Sequence, residues 1–534
     1  MYWAETAMIL VVALAGGVIA SGIKLPPLVG FLAAGFLLHA FGVQAPPNLD
    51  TVADLGVTLL LFTIGLQFDA RVLLRKDVWA ATGTHMLVGT LMGTGLMGLL
   101  ATVGVTMVGD NWRPWAVLGF ALTFSSTVLC VKVLEERNDD GTLYGQVAIA
   151  ILLMQDVAAV LFMEFAAGKW PSMWAFALVA LLPGTWLIHR ILDHVGHDEL
   201  LVLFGVVLAL VPGWAAFEAV GLKGDLGALI LGLLVASHSS SNDLARTLFG
   251  LKELLLIGFF VSIGFHGTPT WTTLLVAVVI CLVLLPPKTA AYAWVIRANK
   301  VRNRTAILAS MSLGHFSEFA LILIALVVEQ GVLSNDALVT VAIAVALSMA
   351  IASIVNRNRN LVDKFCILLP SQEPEKLDPR DRPIDLTGAD AIVLGMGRIG
   401  TAAYQHLVES GMPTLGIEHI SARVEKLRSK GYNVIEGDAT DTEFWIRVAS
   451  VKSVRLLVFA MPFHHSNVTA LQLVRAFGVS CAKSAINFYP EEAEELIQLG
   501  VEPVNLFDGS GHALAEAALS QLVGPESEGT VSAP

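Results

Sequence analysis

The stretch Ala150-Ile-Leu-Leu-Met-Gln155-Asp156-Val-Ala-Ala-Val160 places one carboxylate, with an amide directly before it, inside an unbroken apolar run. Apolar sequence continues on both sides, from about Val147 to Ala167, so Asp156 sits near the middle of a bilayer-length segment. A charge at that depth costs at least about 2.5 to 3.5 kcal/mol on insertion scales, and it normally faces a water-filled cavity or a partner group. Asp156 is therefore expected to bind a cation or a proton on a path through the membrane. The alternative is a structural carboxylate paired with a distant Lys or a helix end.

Composition extends the membrane reading to most of the chain. Of 534 residues, 55% are hydrophobic and only 15% charged, with a mean hydropathy of +0.70. A soluble protein of this length has no way to bury so much apolar surface. The formal charge of −12 is unevenly placed: residues 1–359 hold 19 Lys and Arg against 22 Asp and Glu, whereas 360–534 hold 14 against 23. The acidic share belongs to a C-terminal region without a basic patch, which argues against nucleic acid as a partner. Cys130, Cys281, Cys366 and Cys481 lie too far apart for a zinc knuckle or a disulfide framework. The first apolar run, Met8 to Ala20, lacks a basic segment before it and reads as a retained span, not a signal peptide.

Pro, Gly and charge clusters divide the apolar sequence into about thirteen candidate transmembrane helices: 5–22, 27–43, 52–68, 79–108, 114–133, 143–166, 172–190, 199–217, 224–238, 252–267, 271–296, 304–328 and 337–356. Alternate loops divide the basic residues fifteen against three, the minority being Arg113, Lys169 and Lys223. That bias puts the C-terminal region in the cytoplasm of a cell (inner) membrane and the N-terminus outside. An internal repeat accompanies the spans. Gly30-Phe-Leu-Ala-Ala-Gly35 recurs as Gly227-Ala-Leu-Ile-Leu-Gly232, Phe62-Thr-Ile-Gly65 as Val261-Ser-Ile-Gly264, and Phe124-Ser-Ser as Phe316-Ser-Glu, at offsets of 197, 199 and 192. Six spans and a linking seventh would invert the second copy, the layout of many secondary transporters.

In such transporters the substrate lies near the midplane between discontinuous helices. The polar interruptions Thr123-Phe-Ser125-Ser126-Thr127 and Gly314-His315-Phe-Ser317-Glu318 fall at matching places and are expected to break the fifth and twelfth spans. Singly, each could be a helix whose hydroxyls bond back to its own carbonyls; as a pair flanking Asp156 they favour a site. Lys288, after Pro286-Pro287, is the one basic residue deep within the apolar segments. It is expected either to pair with a carboxylate or to bridge the helix breaks.

The run Ser125-Ser-Thr-Val-Leu…Glu136-Arg-Asn…Leu152-Leu-Met-Gln155-Asp156-Val-Ala-Ala, with Gly232-Leu-Leu-Val-Ala-Ser and Phe316-Ser-Glu-Phe-Ala, resembles the second monovalent cation:proton antiporter family, and within it the Kef-type potassium efflux proteins. The resemblance covers nearly the whole chain. It implies that Asp156 is alternately protonated and loaded with a cation, K⁺ or Na⁺, with Gln155 beside it and the fifth and twelfth spans as crossing broken helices; Ser125, Ser126 and Thr127 of the first interruption are then expected around the ion, and Lys288, Ser317 and Glu318 are expected to support transport. One carboxylate then exchanges one proton for one monovalent cation, with no net charge crossing. It also implies a homodimer.

After a linker at 360–387 the pattern changes to short apolar strands alternating with helices, the α/β Rossmann-like pattern, over 388–523. The loop Gly395-Met-Gly397-Arg398-Ile399-Gly400 follows a strand and opens a helix, and Glu418 ends the next strand. That context fits a dinucleotide fingerprint, with the phosphate at the helix N-terminus and the acid on the ribose hydroxyls, which disfavours a 2′-phosphate. Gly437-Asp438-Ala439-Thr440 continues it, and this half resembles the N-lobe of RCK domains of the TrkA-N type. The expected regulator is an adenine nucleotide, AMP or NAD(H). Around Ser484-Ala-Ile-Asn-Phe-Tyr-Pro-Glu491-Glu-Ala-Glu-Glu495, acidic and hydrophobic residues stand where arginines would hold an anionic tripeptide, which speaks against glutathione. Residues 524–534 read as a disordered tail with no second RCK lobe before it.

An antiporter accounts for the midplane carboxylate, the repeat and the nucleotide module together. A nucleotide-gated cation channel would share the cytosolic module, but the sequence has no TVGYG-type filter. An NAD-dependent membrane oxidoreductase would need an acid/base pair near the glycine loop, and none stands there.

Overall fold

In the computed structural model the described residues are 2–66, 76–137, 139, 142–167, 172, 178, 181–195, 199–238, 240–357, 360–370, 372–378, 381, 388–440, 444–445 and 454–506. They belong to two units, Met1–Asp378 and Pro379–Pro534. The tail at 524–534 lies outside the described residues.

Among the described residues the first unit is helical throughout. Seven helices are long and apolar enough to cross a membrane: Leu49–Leu66, Val78–Thr102, Leu143–Met163, Glu199–Ala219, Asp243–Phe265, Trp271–Ala298 and Asn335–Arg357. Asn303–Leu313 and Glu318–Glu329, bent by 43° at the break between them, make an eighth, and Thr6–Gly22, Pro27–Ala40 and Gly224–Val235 are apolar but shorter. The span expected at 114–133 is a second broken pair, Trp112–Ala121 and Thr127–Arg137. The span at 172–190 lies partly outside the described residues, its described helix being Leu181–Val195. Every expected span thus meets a helix, but length and composition carry seven or eight of them, and the count of thirteen rests on sequence pattern alone.

The helices sort into two bundles. Tyr2–Gly22, Pro27–Ala40, Leu49–Leu66, Glu199–Ala219, Gly224–Val235 and Ser241–Phe265 pack mainly on one another. Lys76–Thr102, the two broken pairs, Leu143–Ala167, Trp271–Ala298 and Asn335–Arg357 form the other bundle, with sparser contact between the two.

The repeated glycines explain the first bundle. A methyl group on Gly35 would strike Val261 and Gly264, and one on Gly65 would strike Leu229 and Gly232. Gly35 corresponds to Gly232 in the repeat and Gly65 to Gly264, so each motif of one copy packs on the other motif of the second copy. That exchange is what an approximate two-fold axis between the copies produces. Gly16 against Gly30 and Gly213 against Gly227 add a matching pair at the same offset of 197. Small residues let membrane helices approach closely, where van der Waals packing replaces a hydrophobic driving force.

The stretch expected as linker begins with a helix, Asn360–Leu368, and holds a short turn at Pro374–Lys376. The second unit is a six-stranded sheet in the order β3-β2-β1-β4-β5-β6. Its strands are Ala391–Leu394 (β1), Thr414–Glu418 (β2), Val434–Glu436 (β3), Leu456–Phe459 (β4), Ala482–Asn487 (β5) and Glu502–Asn505 (β6). Every pairing is parallel, and this is the doubly wound order, with its switch point between β1 and β4.

Gly35→Ala is expected to lower the unfolding temperature of the full chain in detergent, because overpacking a tight contact costs about 1–3 kcal/mol. Gly83→Ala, where nothing lies within 4 Å, is expected to be neutral or slightly stabilising. Equal unfolding temperatures for Gly35→Ala and the unsubstituted chain would contradict the glycine seam.

Candidate functional site

Both breaks arise from residues that give the backbone other partners. The Thr123 hydroxyl donates to Phe120 O at 2.6 Å where the helix Trp112–Ala121 ends, and the chain becomes helical again at Thr127. In the second copy the helix Asn303–Leu313 stops before Gly314, and Ser317 caps Glu318–Glu329 by accepting from Phe319 N at 3.2 Å. Each break leaves a carbonyl end and an N–H end inside the apolar region, and both must be satisfied by protein.

Lys288 meets the carbonyl ends. Its Nζ donates to Phe124 O at 2.7 Å, Leu122 O at 3.2 Å and His315 O at 2.6 Å, and it lies 5.0 Å from the Phe316 ring centroid. All three donors are thereby used and the residue is buried, so of the two roles expected for it, Lys288 bridges the breaks and forms no ion pair among the described residues.

The acids meet the N–H ends. Thr127, the first residue of its helix, donates to Asp156 Oδ2 at 3.0 Å. That is the one hydrogen bond the Asp156 side chain makes among the described residues, although it is only 2% exposed. Glu318, the first residue of the other half-helix, is buried and its Oε2 accepts from Ser317 Oγ at 3.3 Å. Negative charge at a helix N-terminus is favoured by the macrodipole. Gln155 ties this arrangement together: its Oε1 accepts from Ser125 N at 3.1 Å, and its Nε2 donates to Thr123 O at 3.2 Å and to Tyr292 Oη at 2.6 Å. Ser125 Oγ donates across to Leu313 O at 2.7 Å, and Ser126 N donates to His315 Nδ1 at 3.2 Å.

The structure thus gathers Gln155, Asp156, Ser125, Ser126, Thr127, Lys288, Ser317 and Glu318 into one buried polar cluster. It adds residues that the sequence did not single out. Tyr292 stands one turn after Lys288 and stacks on His85 with ring centroids 3.4 Å apart. Ser348 accepts from Phe316 N at 3.0 Å and lies 192 residues after Asp156, the offset that relates Phe124 to Phe316. Applying that offset to the Gln155-Asp156 pair would have found it.

In the second unit, Gly395 (φ +89°) makes the turn after β1, and a methyl on Gly400 would strike the Gly395 carbonyl. At Gly397 the Cβ direction is open, with nothing within 4 Å. The helix Arg398–Glu409 begins there without a side-chain cap or an acid in its first turn, and Arg398 and Ile399 are exposed. These are the features a phosphate cradle needs. Glu418 is buried at the tip of β2 but not free. Its carboxylate accepts from Met396 N in the glycine loop, from His419 N and from Ile420 N, each at 3.1 Å, and from Arg423 Nη1 at 3.0 Å. The bare negative charge expected there is therefore balanced by Arg423, which weakens the expected repulsion of a 2′-phosphate. Asp438 accepts from Thr440 N at 2.8 Å and from its hydroxyl at 2.7 Å, and Ala439 O accepts from Trp445 Nε1 at 2.7 Å, so both are engaged within their own loop.

The family model for the transmembrane sodium/hydrogen exchanger matches residues 8–357, and the TrkA-N domain model matches 391–505. The chain is similar to the glutathione-regulated potassium-efflux system protein KefC of Shigella flexneri serotype 5b and to that of Escherichia coli O17:K52:H18. Each is 29% identical over 482 residues, covering 86% of this chain and 75% of the relative. Among solved structures, the TrkA-N domain of the inner membrane protein ybaL from Escherichia coli aligns with 25% of this chain and 98% of its own, at 22% identity and a TM-score of 0.23. With two thirds of its length matched by one transmembrane family and most of the remainder by the other domain, this chain belongs to the sodium/hydrogen exchanger family and carries a TrkA-N domain after the exchanger.

Proposed function

We propose that the chain exchanges potassium ions for protons at Asp156, and that a nucleotide in the TrkA-N unit regulates the exchange. Its family makes it a transporter and not an enzyme. The observation that carries the Asp156 reading is the mismatch between that carboxylate and its surroundings. An ionised carboxylate offers about four acceptor sites, and the partly buried Thr127 hydroxyl serves only one of them. A proton or a monovalent cation completes the shell, and the two exclude one another at a single carboxylate. The Ser126 and Thr127 hydroxyls add neutral oxygens of the kind such cations accept, and Gln155 holds the Ser125 backbone beside them. These oxygens would also accept sodium; the choice of potassium follows the KefC relatives.

The fifteen basic residues on one set of loops, against three on the other, orient the protein with the TrkA-N unit in the cytoplasm and the N-terminus outside. We take the working form to be a homodimer. The regulator is an adenine nucleotide, AMP or NAD(H). Its phosphate sits over Gly397, and its ribose hydroxyls donate to Glu418 in place of Arg423, whose half-exposed side chain is able to swing away. Such a ligand gates exchange only through its differential affinity for the states of the transporter.

In proteoliposomes, Asp156→Asn is expected to abolish cation-driven proton flux while leaving the oligomeric state and unfolding temperature close to those of the unsubstituted chain. Full exchange by that variant would remove Asp156 from the mechanism. By calorimetry, the full chain is expected to bind AMP or NAD(H), with Gly397→Val losing at least about tenfold in affinity as its side chain fills the phosphate position, a loss of about 1.4 kcal/mol. Equal binding by Gly397→Val, or no binding of either nucleotide, would contradict the cradle.

A further inference from the structure

Three basic residues from distant parts of the sequence converge on a crevice of about 660 Å³ lined by Ser21, Lys24, Lys132, Val133, Asn356 and Arg357 among others. Lys24 lies in the turn between the helices Tyr2–Gly22 and Pro27–Ala40 and is held at φ +64°, a strained conformation for a residue with a side chain. Lys132 is on the helix Thr127–Arg137, and Arg357 ends the helix Asn335–Arg357. Among the described residues no carboxylate lines the crevice, and none of the three cations has an ion-pair partner there. The helix Pro27–Ala40, which starts at the crevice wall beside Pro26, has no side-chain cap and no acid in its first turn. Its positive end therefore adds to the three charges.

We propose that this crevice seats a phosphate group, either the headgroup of an anionic lipid or a free phosphate ion. Like charges gathered around one cavity destabilise it until an anion arrives. Arg presents a fork that matches phosphate oxygens, and Lys supplies compact charge. A basic pocket between membrane helices is a recognised form of lipid-headgroup site. The three residues also lie on different bundles: Lys24 belongs to the glycine-seamed bundle, Lys132 and Arg357 to the bundle that carries Asp156. A phosphate held by all three ties the bundles together on that side. Leu129 and Val133, which line the crevice, stand on the same helix as Thr127, so this tie reaches the element that donates to Asp156. Binding is independent of which cation the protein carries; only its effect on exchange rests on the transport reading.

The test uses the delipidated full chain in a neutral detergent, with unfolding temperature as the readout. Inorganic phosphate is titrated in one arm, mixed micelles of phosphatidylglycerol in a second and of phosphatidylcholine in a third. The same titrations are run on the triple variant Lys24→Gln/Lys132→Gln/Arg357→Gln and on the charge-preserving Lys24→Arg/Lys132→Arg/Arg357→Lys. Phosphate or phosphatidylglycerol is expected to raise the unfolding temperature of the unsubstituted and charge-preserving chains. Half-saturation should be at least about tenfold weaker in the Gln variant, the loss of one charge-assisted hydrogen bond or more. A shift with phosphatidylglycerol alone assigns the lipid, and one with inorganic phosphate alone assigns the free ion. Because the glycine loop is intact in every variant, binding there shifts all of them equally. Superimposable curves for the Gln variant and the unsubstituted chain, or no shift with either probe, would overturn the proposal.

Discussion

A charge inside the bilayer must be met by protein, and the transporter unit buries Lys288 with two acids, Asp156 and Glu318, without an ion pair between lysine and acid among the described residues. Lys288 has all three of its N–H groups on the carbonyls of the broken helices. Asp156 sits at the opposite, N–H ends, with one hydroxyl for company. Had Lys288 paired with Asp156, the carboxylate would be permanently satisfied and the carbonyl ends left bare. Sending the lysine to the carbonyls stabilises the breaks and leaves Asp156 without an ion-pair partner among the described residues, as the proposed exchange requires.

The second dependence is mechanical. Gly35 with Gly264 and Gly65 with Gly232 bring helix backbones of one bundle into direct contact, and interiors packed to that closeness do not deform gradually. The bundle holding Asp156, Lys288 and both breaks has sparser contacts with it. Relative movement of two stiff bundles along a loose seam is the form of alternating access that inverted repeats support. A polar cluster confined to one bundle would keep its geometry through such a movement.

Much of this was legible in the sequence because polar residues in apolar runs are costly and therefore few. Asp156, Lys288 and the two interruptions stood out for that reason, and the glycine loop stood out because it lay between a strand and a helix. Tyr292 and His85 were hidden: an aromatic ring in a membrane helix is ordinary, and only the fold places the two face to face beside Gln155. The balance of Glu418 by Arg423 was hidden as well, since it depends on how the chain turns after β2. Span number was poorly legible, because short helices such as Gly224–Val235 and the broken pairs do not announce by length whether they cross.

The proposed exchange needs one carboxylate that holds either a proton or a cation. The most direct measurement is the potassium affinity of the full chain in detergent as a function of pH. Competition for Asp156 predicts that the apparent dissociation constant for potassium rises as pH falls, approaching about tenfold per unit once the carboxyl group is protonated, the limit for one proton displaced per cation bound. A potassium affinity that stays constant across the pH range in which the protein transports would contradict it.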